Sequence, residues 1–348
     1  METQVIDCVA DPLAGTELGA EIIRNGGLVA FPTETVYGLG ANGLDGDAVN
    51  RIFLAKGRPN DNPLILHVSR KEQAGNLWLK VPPEAEKLMD TFWPGPLTLI
   101  FRRAECVPDE VTAGLDTVAV RMPHNPTALA LIEKAGVPVA APSANLSGKP
   151  SPTRAEHVLR DMEGKIPLIL DGGPCRFGVE STVLSLVGIP TILRPGAVTK
   201  EMLGAVIGEV QLADCLLHPL KAGEKVLSPG MKYRHYAPKA QVYVVTGEPE
   251  KAARRILERY AAMEAQGKTV EIAGTEQTMA LYKAKGCRCS LMGDRQDPVT
   301  LCARLFTLLR EMDERAEVIL CEGVPPQGAG LAYMNRLLRA AGFQVEEV

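Results

Sequence analysis

The sequence predicts an α/β protein of two domains. Short apolar runs, the pattern of buried strands, alternate with longer segments whose apolar residues recur at helical spacing. Polar loops follow the ends of the predicted strands, which is where open α/β sheets bind ligands. A chain of 348 residues is long enough for two domains of about 100–200 residues each. We expect a first domain over 1–217, a linker over 218–240 and a second domain over 241–348.

The first domain is organised around a strand and the polar loop that follows it. The apolar run 28–31 ends at a proline, and the loop then contains Thr33, further hydroxyl side chains and one acid, Glu34. Gly38 and Gly40 are expected to close this loop. The other elements alternate along the domain: helices over 18–26, 82–92, 126–136 and 153–162 (the last capped by Thr153), and strands over 97–101, 117–122, 137–141, 168–170, 180–183 and 192–194.

A cationic corner follows this loop. Asp47 is predicted to cap a helix that ends at Gly57, and Lys56 and Arg58 flank that glycine. The ordinary interpretation of two cations at a helix end is that they complement the helix dipole. The neighbouring hydroxyl-rich loop supports a second interpretation, a seat for a phosphate or carboxylate group. A strand over 63–68 follows at once.

The predicted linker is rich in proline, glycine and basic residues. Such a segment does not bury a core alone, and the ordinary interpretation is a passive connector. Its aromatic and basic side chains, which include Arg234, His235 and Tyr236, are denser than a spacer requires.

The second domain alternates regularly and predicts a small parallel, doubly wound sheet. Its first strand-to-helix turn, 246–249, lacks the glycine fingerprint of dinucleotide-binding proteins. The predicted elements are strands over 242–245, 269–272, 290–292 and 318–321, and helices over 249–265, 276–285, 298–312 and 331–341.

Composition narrows the functional classes. A net charge of −4 argues against broad, nonspecific nucleic-acid binding. No apolar run approaches the roughly 20 residues that span a bilayer, and the N-terminus does not resemble a signal peptide. We therefore expect a cytoplasmic protein without a membrane partner. The eight cysteines lack zinc-binding spacing, so free thiols are expected and no metal site is predicted.

The sequence lacks the motifs of several catalytic mechanisms: it has no Walker loop, no nucleophile elbow and no histidine pair at metal spacing. What remains suits polyphosphate binding by positioning and charge neutralisation. Acids are few in the polar loops, so any Mg²⁺ would arrive on the nucleotide phosphates and not in a protein cage. The residues concerned are Lys56, Arg58, Arg121 and Arg194 at element ends, and Thr33, Ser143, Asn145, Ser151 and Ser181 in loops. From the residues alone, the expectation is an anion-binding cleft without a named substrate.

The motifs also resemble those of a known family. Lys56-Gly-Arg58 followed by Ser143-Ala-Asn145 is similar to the Lys-x-Arg and Ser-x-Asn signature of the YrdC-like family. Other blocks resemble that family in the family's order; they are FPTETVYGLG, KGRPNDNPLILH, AVRMPH, APSANLSGKPSPT and GVESTV. The segment SPGMKYRHYAP and the second α/β domain resemble its long, two-domain branch.

The resemblance implies a fold and an activity. The fold would be a twisted sheet with a concave face, followed by a Rossmann-like domain. The activity would be nucleotidyl transfer that makes threonylcarbamoyl-AMP and pyrophosphate from L-threonine, bicarbonate or CO₂, and ATP with its Mg²⁺. A separate transferase complex would then modify tRNA, so this chain would meet tRNA only weakly or indirectly.

The resemblance also implies residue roles. Lys56 and Arg58 would be catalytic. Threonine would be held by Thr33, His67, Thr117, Arg121 and Ser181. ATP would be held by Lys56, Arg58, Asn62, Ser143, Asn145, Ser151, Arg194, Arg234, His235 and Tyr236, and the linker would close over the cleft.

Two competing interpretations remain open at this point. The first is an RNA-binding module that uses a basic concave face, although the net acidity weighs against it. The second is a related carbamoyl-adenylate step that serves a different acceptor. The sequence does not predict the role of the second domain or the oligomeric state.

Overall fold

The described part of the chain forms two compact units. The computed structural model describes residues 2–218 and 236–348. The division is nearly sequential; the first unit contains residues 2–147 and 151–216, and the second contains 148–150, 217–218 and 236–348. Most of the predicted linker lies outside the described residues, so the predicted domain boundaries stay a prediction.

One mixed sheet of eleven strands forms the frame of the first unit, counted over its described residues. Its strands are β1 (Gln4–Asp7), β2 (Val29–Phe31), β3 (Gly38–Asn42), β4 (Ile65–His67), β5 (Leu97–Arg102), β6 (Thr117–Arg121), β7 (Val139–Ala140), β8 (Leu168–Asp171), β9 (Thr182–Ser185), β10 (Thr191–Arg194) and β11 (Gln211–Leu212). Their order across the sheet is β1-β8-β2-β3-β7-β4-β6-β5-β9-β10-β11. Strands far apart in sequence therefore become neighbours.

Helices cover much of this sheet. They are α1 (Thr16–Arg24), α2 (Gly46–Lys56), α3 (Glu72–Leu77), α4 (Pro83–Phe92), α5 (Asp109–Thr112), α6 (Pro126–Ala135), α7 (Ala155–Met162) and α8 (Lys200–Ile207). The largest apolar cluster joins residues of α2, α4 and α7 to Leu66, Leu99 and Val120 of the sheet. A second cluster joins α1 and α6 to Val29 and Phe31 of β2.

A third, smaller cluster lies on the other face of the central strands. Its buried members all come from strands: Ile65, Ile100, Ala119, Val183 and Leu193, here called the apolar patch. They alternate along the chain with Leu66, Leu99, Val120, Leu184 and Ile192 of the largest cluster. Because successive strand residues point to opposite faces, the apolar patch defines a separate face of the sheet.

Three local predictions for the first unit were wrong. Asp45, not Asp47, caps α2, because its carboxylate accepts hydrogen bonds from the N–H groups of Asp47 (3.0 Å) and Ala48 (3.2 Å). Thr153 does not cap α7, whose N-cap is Arg154 without a side-chain hydrogen bond. Gly38 begins strand β3, which was predicted as the end of a loop.

Close packing explains why a strand contains two glycines. A Cβ atom on Gly40 would lie 2.8 Å from Val139 Cγ1 and 2.9 Å from Phe31 Cε1. A Cβ atom on Gly38 would lie 3.1 Å from the Phe31 ring. Glycine is disfavoured in strands on propensity, so sequence pattern alone indicates a loop here. Side-chain packing against β2 and β7 decides otherwise.

The second unit is a parallel α/β sheet, which confirms that prediction. Its elements are β12 (Gln241–Thr246), α9 (Pro249–Glu264), β13 (Val270–Thr275), α10 (Met279–Ala284), β14 (Cys289–Gly293), α11 (Pro298–Asp313), β15 (Val318–Glu322), α12 (Ala329–Ala340) and β16 (Val345–Glu347). All described pairings are parallel, in the order β14-β13-β15-β12-β16. At its carboxyl edge the buried Glu322 carboxylate accepts hydrogen bonds from Thr275 Oγ1 (2.9 Å) and Tyr282 OH (2.8 Å).

Candidate active site

The loop from Thr33 to Tyr37 connects the parts of the site. The Tyr37 N–H donates to Pro152 O (2.9 Å), and the Ala144 N–H donates to Tyr37 O (2.9 Å). The Phe177 N–H donates to the carbonyl of Glu34 (2.9 Å). The predicted polar loops are thus joined by backbone hydrogen bonds, although the sequence separates them by more than a hundred residues.

A row of polar side chains crosses the face that carries the apolar patch. His67 of β4 pairs with Arg121 of β6. Thr98 of β5 lies opposite Arg121, because their neighbours Leu99 and Val120 are paired in the antiparallel ladder. Thr98 also pairs with Val183 of β9, which pairs with Arg194 of β10. Paired residues point to the same face, so His67, Arg121, Thr98 and Arg194 form what we call the polar row.

A β-bulge brings Arg194 into this row. The register of β9 against β10 shifts between Ile192 and Arg194, which re-aims the side chain. Its Nε donates to Ser181 O (3.0 Å), and its Nη2 donates to Ser181 Oγ (3.0 Å). The Ser181 hydroxyl also lies 2.8 Å from Thr98 Oγ1. Arg194 therefore fixes the position of the serine beside the polar row.

Thr117 is not brought to this cluster. It lies on the same face as Arg121, but four residues earlier on β6. At about 3.3 Å per residue the two are about 13 Å apart. The apolar patch lies between these levels of the sheet, with Ala119 as its β6 member. The structure therefore does not bring Thr117 next to Arg121.

Thr33 turns its hydroxyl into its own loop. Its Oγ1 donates to Val36 O (2.6 Å) and accepts from the Thr35 N–H (3.1 Å). This local bond pattern is a side-chain turn, which fixes the backbone of the loop. The neighbouring Thr35 Oγ1 accepts a hydrogen bond from Arg121 Nη1 (2.9 Å).

Glu34 and Arg121 form a buried ion pair in this loop. Arg121 Nη2 lies 2.7 Å from Glu34 Oε1, and both side chains are about 5% exposed or less. The contact is short, yet neither atom has a well-directed hydrogen bond to a described residue. We therefore treat the pair as a charge contact and not as a hydrogen bond. Arg121 Nε makes a longer bond to Gly95 O (3.3 Å).

Lys56 holds the Ser143–Asn145 turn. Its Nζ donates to Ser143 O (2.5 Å) and Asn145 O (2.6 Å), and its side chain is buried. The Ser143 hydroxyl donates to Asn145 Oδ1 (2.5 Å). The two halves of the Lys-x-Arg and Ser-x-Asn pattern thus meet in space. Complementing the dipole of α2 is not the main role of this ammonium group.

Three other predicted ATP-binding residues lie close in sequence to Lys56 or to the Ser143–Asn145 turn. Arg58 Nη2 donates to the carbonyl of Asn62 (2.8 Å). The Asn62 side chain is fully buried, and neither its Oδ1 nor its Nδ2 has a hydrogen-bond partner among the described residues. Ser151 Oγ donates to Glu180 Oε1 (2.5 Å). A buried amide without a partner among the described residues is unusual, which makes Asn62 a candidate ligand contact.

Two titratable side chains at the site stay neutral near pH 7. Burial, with a smaller contribution from the Arg121 charge, lowers the pKa of His67 to about 3. Burial raises the pKa of the Cys175 thiol well above its usual range. The polar row therefore contains two permanent cations, Arg121 and Arg194, and a neutral imidazole. This charge suits an anionic ligand.

Two predicted ATP-binding residues, Arg234 and His235, lie outside the described residues. The predicted closing of the linker over the cleft concerns the same segment and stays a prediction. Tyr236 is described and belongs to the second unit. It is buried and adopts a left-handed backbone with φ 64°. Its ring stacks on Phe306 with centroids 5.0 Å apart.

Sequence reasoning did not place Thr35, Thr98 and Glu34 among the site residues. Thr98 is the one hydroxyl within the apolar run 97–101, and a polar residue at a buried strand position is a usable signal. Glu34 was visible as the one acid of the hydroxyl-rich loop. Nothing local indicated that it would contact Arg121, which is 87 residues away in sequence.

The described residues contain neither a metal-binding cluster nor a helix that could span a membrane. No group of three or more His, Cys, Asp or Glu side chains in them is arranged to hold a metal ion. No helix among them has the length and hydropathy needed to cross a bilayer. The seven cysteines whose side chains are described are free thiols.

Two family models match the chain. The model described as "Telomere recombination" matches residues 21–196. The model described as "Threonylcarbamoyl-AMP synthase, C-terminal domain" matches residues 198–342. Together they account for both units.

Curated and solved relatives agree with these matches. The chain is 51% identical to the threonylcarbamoyl-AMP synthase of Pyrococcus abyssi, over 95% of each chain. It is 49% identical to that of Bacillus subtilis, over 94% of this chain and 92% of the relative. The crystal structure of Pyrococcus abyssi Sua5 in complex with L-threonine matches with a TM-score of 0.91 and 47% identity, over 99% of this chain and all of the other. The mixed sheet, the parallel second sheet and these relatives lead to one assignment: the chain belongs to the threonylcarbamoyl-AMP synthase family and is a nucleotidyltransferase.

Proposed function

We propose that the chain makes L-threonylcarbamoyladenylate and pyrophosphate from L-threonine, bicarbonate or CO₂, and ATP. The observation that carries the proposal is the polar row on the face of the sheet that carries the apolar patch, beside the Thr33–Tyr37 loop. It offers two arginines, a neutral imidazole and hydroxyls in one buried cluster. A relative of 47% identity has been determined with L-threonine bound.

The threonine site in this proposal is the part of the polar row nearest the loop. Arg121 Nη2 would bind the threonine carboxylate, since its other nitrogens already donate to Thr35 and Gly95. His67 and Ser181 would contact the rest of the amino acid, and Thr33 would shape the loop around it. Thr117 is left out because of its distance along β6.

The ATP site in this proposal is the Lys56 and Ser143–Asn145 region. Lys56 and Arg58 would neutralise charge on the phosphates, and the unsatisfied Asn62 amide would bind the nucleotide. Ser143, Asn145, Ser151 and Arg194 complete the proposed set. Mg²⁺ would be held by the phosphate oxygens of the substrate, because the nearby acids Glu34 and Glu180 already contact Arg121 and Ser151.

The chemistry follows in two steps. The threonine amine attacks CO₂ and forms a carbamate. A carbamate oxygen then attacks the α-phosphorus of ATP, and the bond to pyrophosphate breaks. The protein's contribution would be positioning and charge neutralisation, without a covalent intermediate on a side chain. Cytoplasmic location, delivery of the adenylate to a separate transferase and modification of the adenosine beside the anticodon of ANN-decoding tRNAs complete the proposal.

The decisive experiment measures pyrophosphate release from ATP with Mg²⁺. L-Threonine and bicarbonate are omitted one at a time, and the nucleotide product is identified by mass spectrometry. We expect release to require both, with an adenylate of threonylcarbamate as product. ATP cleavage without threonine would instead indicate a different nucleotide hydrolase. Tight, salt-sensitive binding of tRNA without any cleavage would favour the RNA-binding module.

A further inference from the structure

Glu34 is a buried acid of the site that lacks hydrogen-bond donors among the described residues. Its side chain is 5% exposed, and neither carboxylate oxygen receives a well-directed hydrogen bond from the described residues. A carboxylate has room for about four hydrogen bonds. A buried polar group without partners is rare enough to require an explanation, and an absent ligand is one.

The other buried acid of the site provides the contrast. Glu180 accepts a short hydrogen bond from Ser151 Oγ (2.5 Å). Among the described residues, the Glu34 carboxylate instead has the charge of Arg121 beside it, at 2.7 Å from Nη2. The same Nη2 atom also lacks a directed bond. Among the described residues, each of these two groups therefore has the opposite charge beside it but no well-directed hydrogen bond.

An α-amino acid complements both groups at once. Its carboxylate accepts from Arg121 Nη2, and its ammonium group donates to Glu34. A carboxylic acid without an amine would bind Arg121 alone, and an amine without a carboxylate would bind Glu34 alone. This match rests on the proposed function, in which threonine is the substrate.

The reaction requires one more event at the amine. An ammonium nitrogen has no lone pair, so it must lose a proton before it attacks CO₂. His67 is a poor acceptor because burial lowers its pKa to about 3. The Cys175 thiol stays protonated, since burial raises its pKa. Among the described side chains that contact Arg121, Glu34 is the one with a carboxylate oxygen.

We propose that Glu34 binds the ammonium group of the amino-acid substrate and accepts its proton. The step is R–NH₃⁺ plus Glu34 carboxylate giving R–NH₂ plus Glu34 carboxylic acid. Glu34 then returns this proton to the hydroxyl of bicarbonate, whose C–O bond breaks to give CO₂ and water. The amine lone pair forms the N–C bond with CO₂, and the restored carboxylate takes the second proton, which leaves the carbamate.

The test uses Glu34→Gln in the full chain, which keeps the shape and removes the basic oxygen. Threonine- and bicarbonate-dependent adenylate formation should fall by roughly 100-fold or more. The reverse reaction, ATP formation from prepared threonylcarbamoyladenylate and pyrophosphate, moves no proton at the nitrogen. It should stay within about threefold of the unsubstituted protein. Glu86→Gln, an exposed acid on α4, is the matched control and should leave both directions unchanged.

A second readout separates proton transfer from mere positioning. Between about pH 7 and about pH 9 more of the free threonine carries a neutral amine, so the rate of Glu34→Gln relative to the unsubstituted protein should rise. The described charged or titratable groups facing Glu34 are Arg121 from β6 and Cys175 from the loop after β8.

The outcomes are distinct. If the unsubstituted protein makes no adenylate, the proposed function fails. If it does, and Glu34→Gln keeps its forward rate, Glu34 is not the proton acceptor. If Glu34→Gln loses both directions equally, the residue acts on the fold or on nucleotide binding, which also overturns the inference.

Discussion

At the scale of single residues, burial decides what each charged group does. Lys56 was expected either to complement a helix dipole or to face an anion. In the structure its ammonium group donates to two carbonyls and joins α2 to the Ser143–Asn145 turn. The residue type was visible in the sequence, but its partners were not, because they lie 87 and 89 residues further along the chain.

His67 provides a stability prediction. Its pKa in the folded protein is about 3, below the unfolded value of about 6.5. Between these values the unfolded chain binds more protons, so the free energy of unfolding falls as the pH is lowered, by up to about 1.4 kcal/mol per pH unit. We expect the unsubstituted protein to lose about 2 kcal/mol more than His67→Gln between about pH 6.5 and about pH 5.

The measurement is denaturant unfolding of both proteins at the two pH values. His124→Gln, at an exposed histidine, serves as the control and should behave like the unsubstituted protein. Equal pH dependence for His67→Gln and the unsubstituted protein would show that His67 is not held neutral by the fold.

At the scale of elements, local signals set the type of each helix and strand better than its ends. The capping of α2 is an example, since Asp45 and Asp47 are both acids near its start. Only Asp45 has the extended backbone of a cap, with φ −115° and ψ 105°. Strand β3 is the opposite case, in which packing against Phe31 and Val139 requires glycines that obscure the strand pattern.

Asp45 and Asp47 form a matched pair for a test of this assignment. Asp45→Ala should destabilise the first unit by about 1 kcal/mol, because two N–H groups lose their acceptor. Asp47→Ala should cost about 0.3–1 kcal/mol at most, through the helix dipole alone. Thermal or denaturant unfolding of the two variants measures the difference. A larger loss for Asp47→Ala would mean that the cap is wrongly assigned.

At the scale of the whole molecule, ligand binding should couple to stability. A ligand that binds only the folded state stabilises it by about 2.7 kcal/mol at a hundredfold excess over its dissociation constant. We therefore expect L-threonine, and separately ATP with Mg²⁺, to raise the unfolding temperature of the chain.

The Arg121→Gln variant distinguishes the shift in unfolding temperature caused by L-threonine from the shift caused by ATP. It removes the proposed partner of the threonine carboxylate, so the shift caused by threonine should vanish. The shift caused by ATP should remain, because Lys56 and the Ser143–Asn145 turn do not contact Arg121 through any described bond. A threonine-induced shift that survives in Arg121→Gln would place the amino acid elsewhere.

The sequence by itself determined the α/β class and the alternation of the second unit, and it singled out the cations and hydroxyls proposed to bind a polyphosphate. These follow from local periodicity, turn residues and motif spacing, which are readable over a few neighbouring residues. Family membership was also visible, because its motifs recur in order along the chain, and the comparisons confirmed it.

Only the tertiary structure decided how those residues combine. The polar row depends on the register of β4, β6, β5, β9 and β10. Two of its neighbouring pairs, β4 with β6 and β5 with β9, are separated in the chain by other strands. The bulge that aims Arg194 is an irregularity in that register. The contact between Glu34 and Arg121 joins a loop to β6 across 87 residues of sequence. No tight turn joins β4 to β6 or β5 to β9, so turn geometry does not fix their register and packing across the sheet decides it.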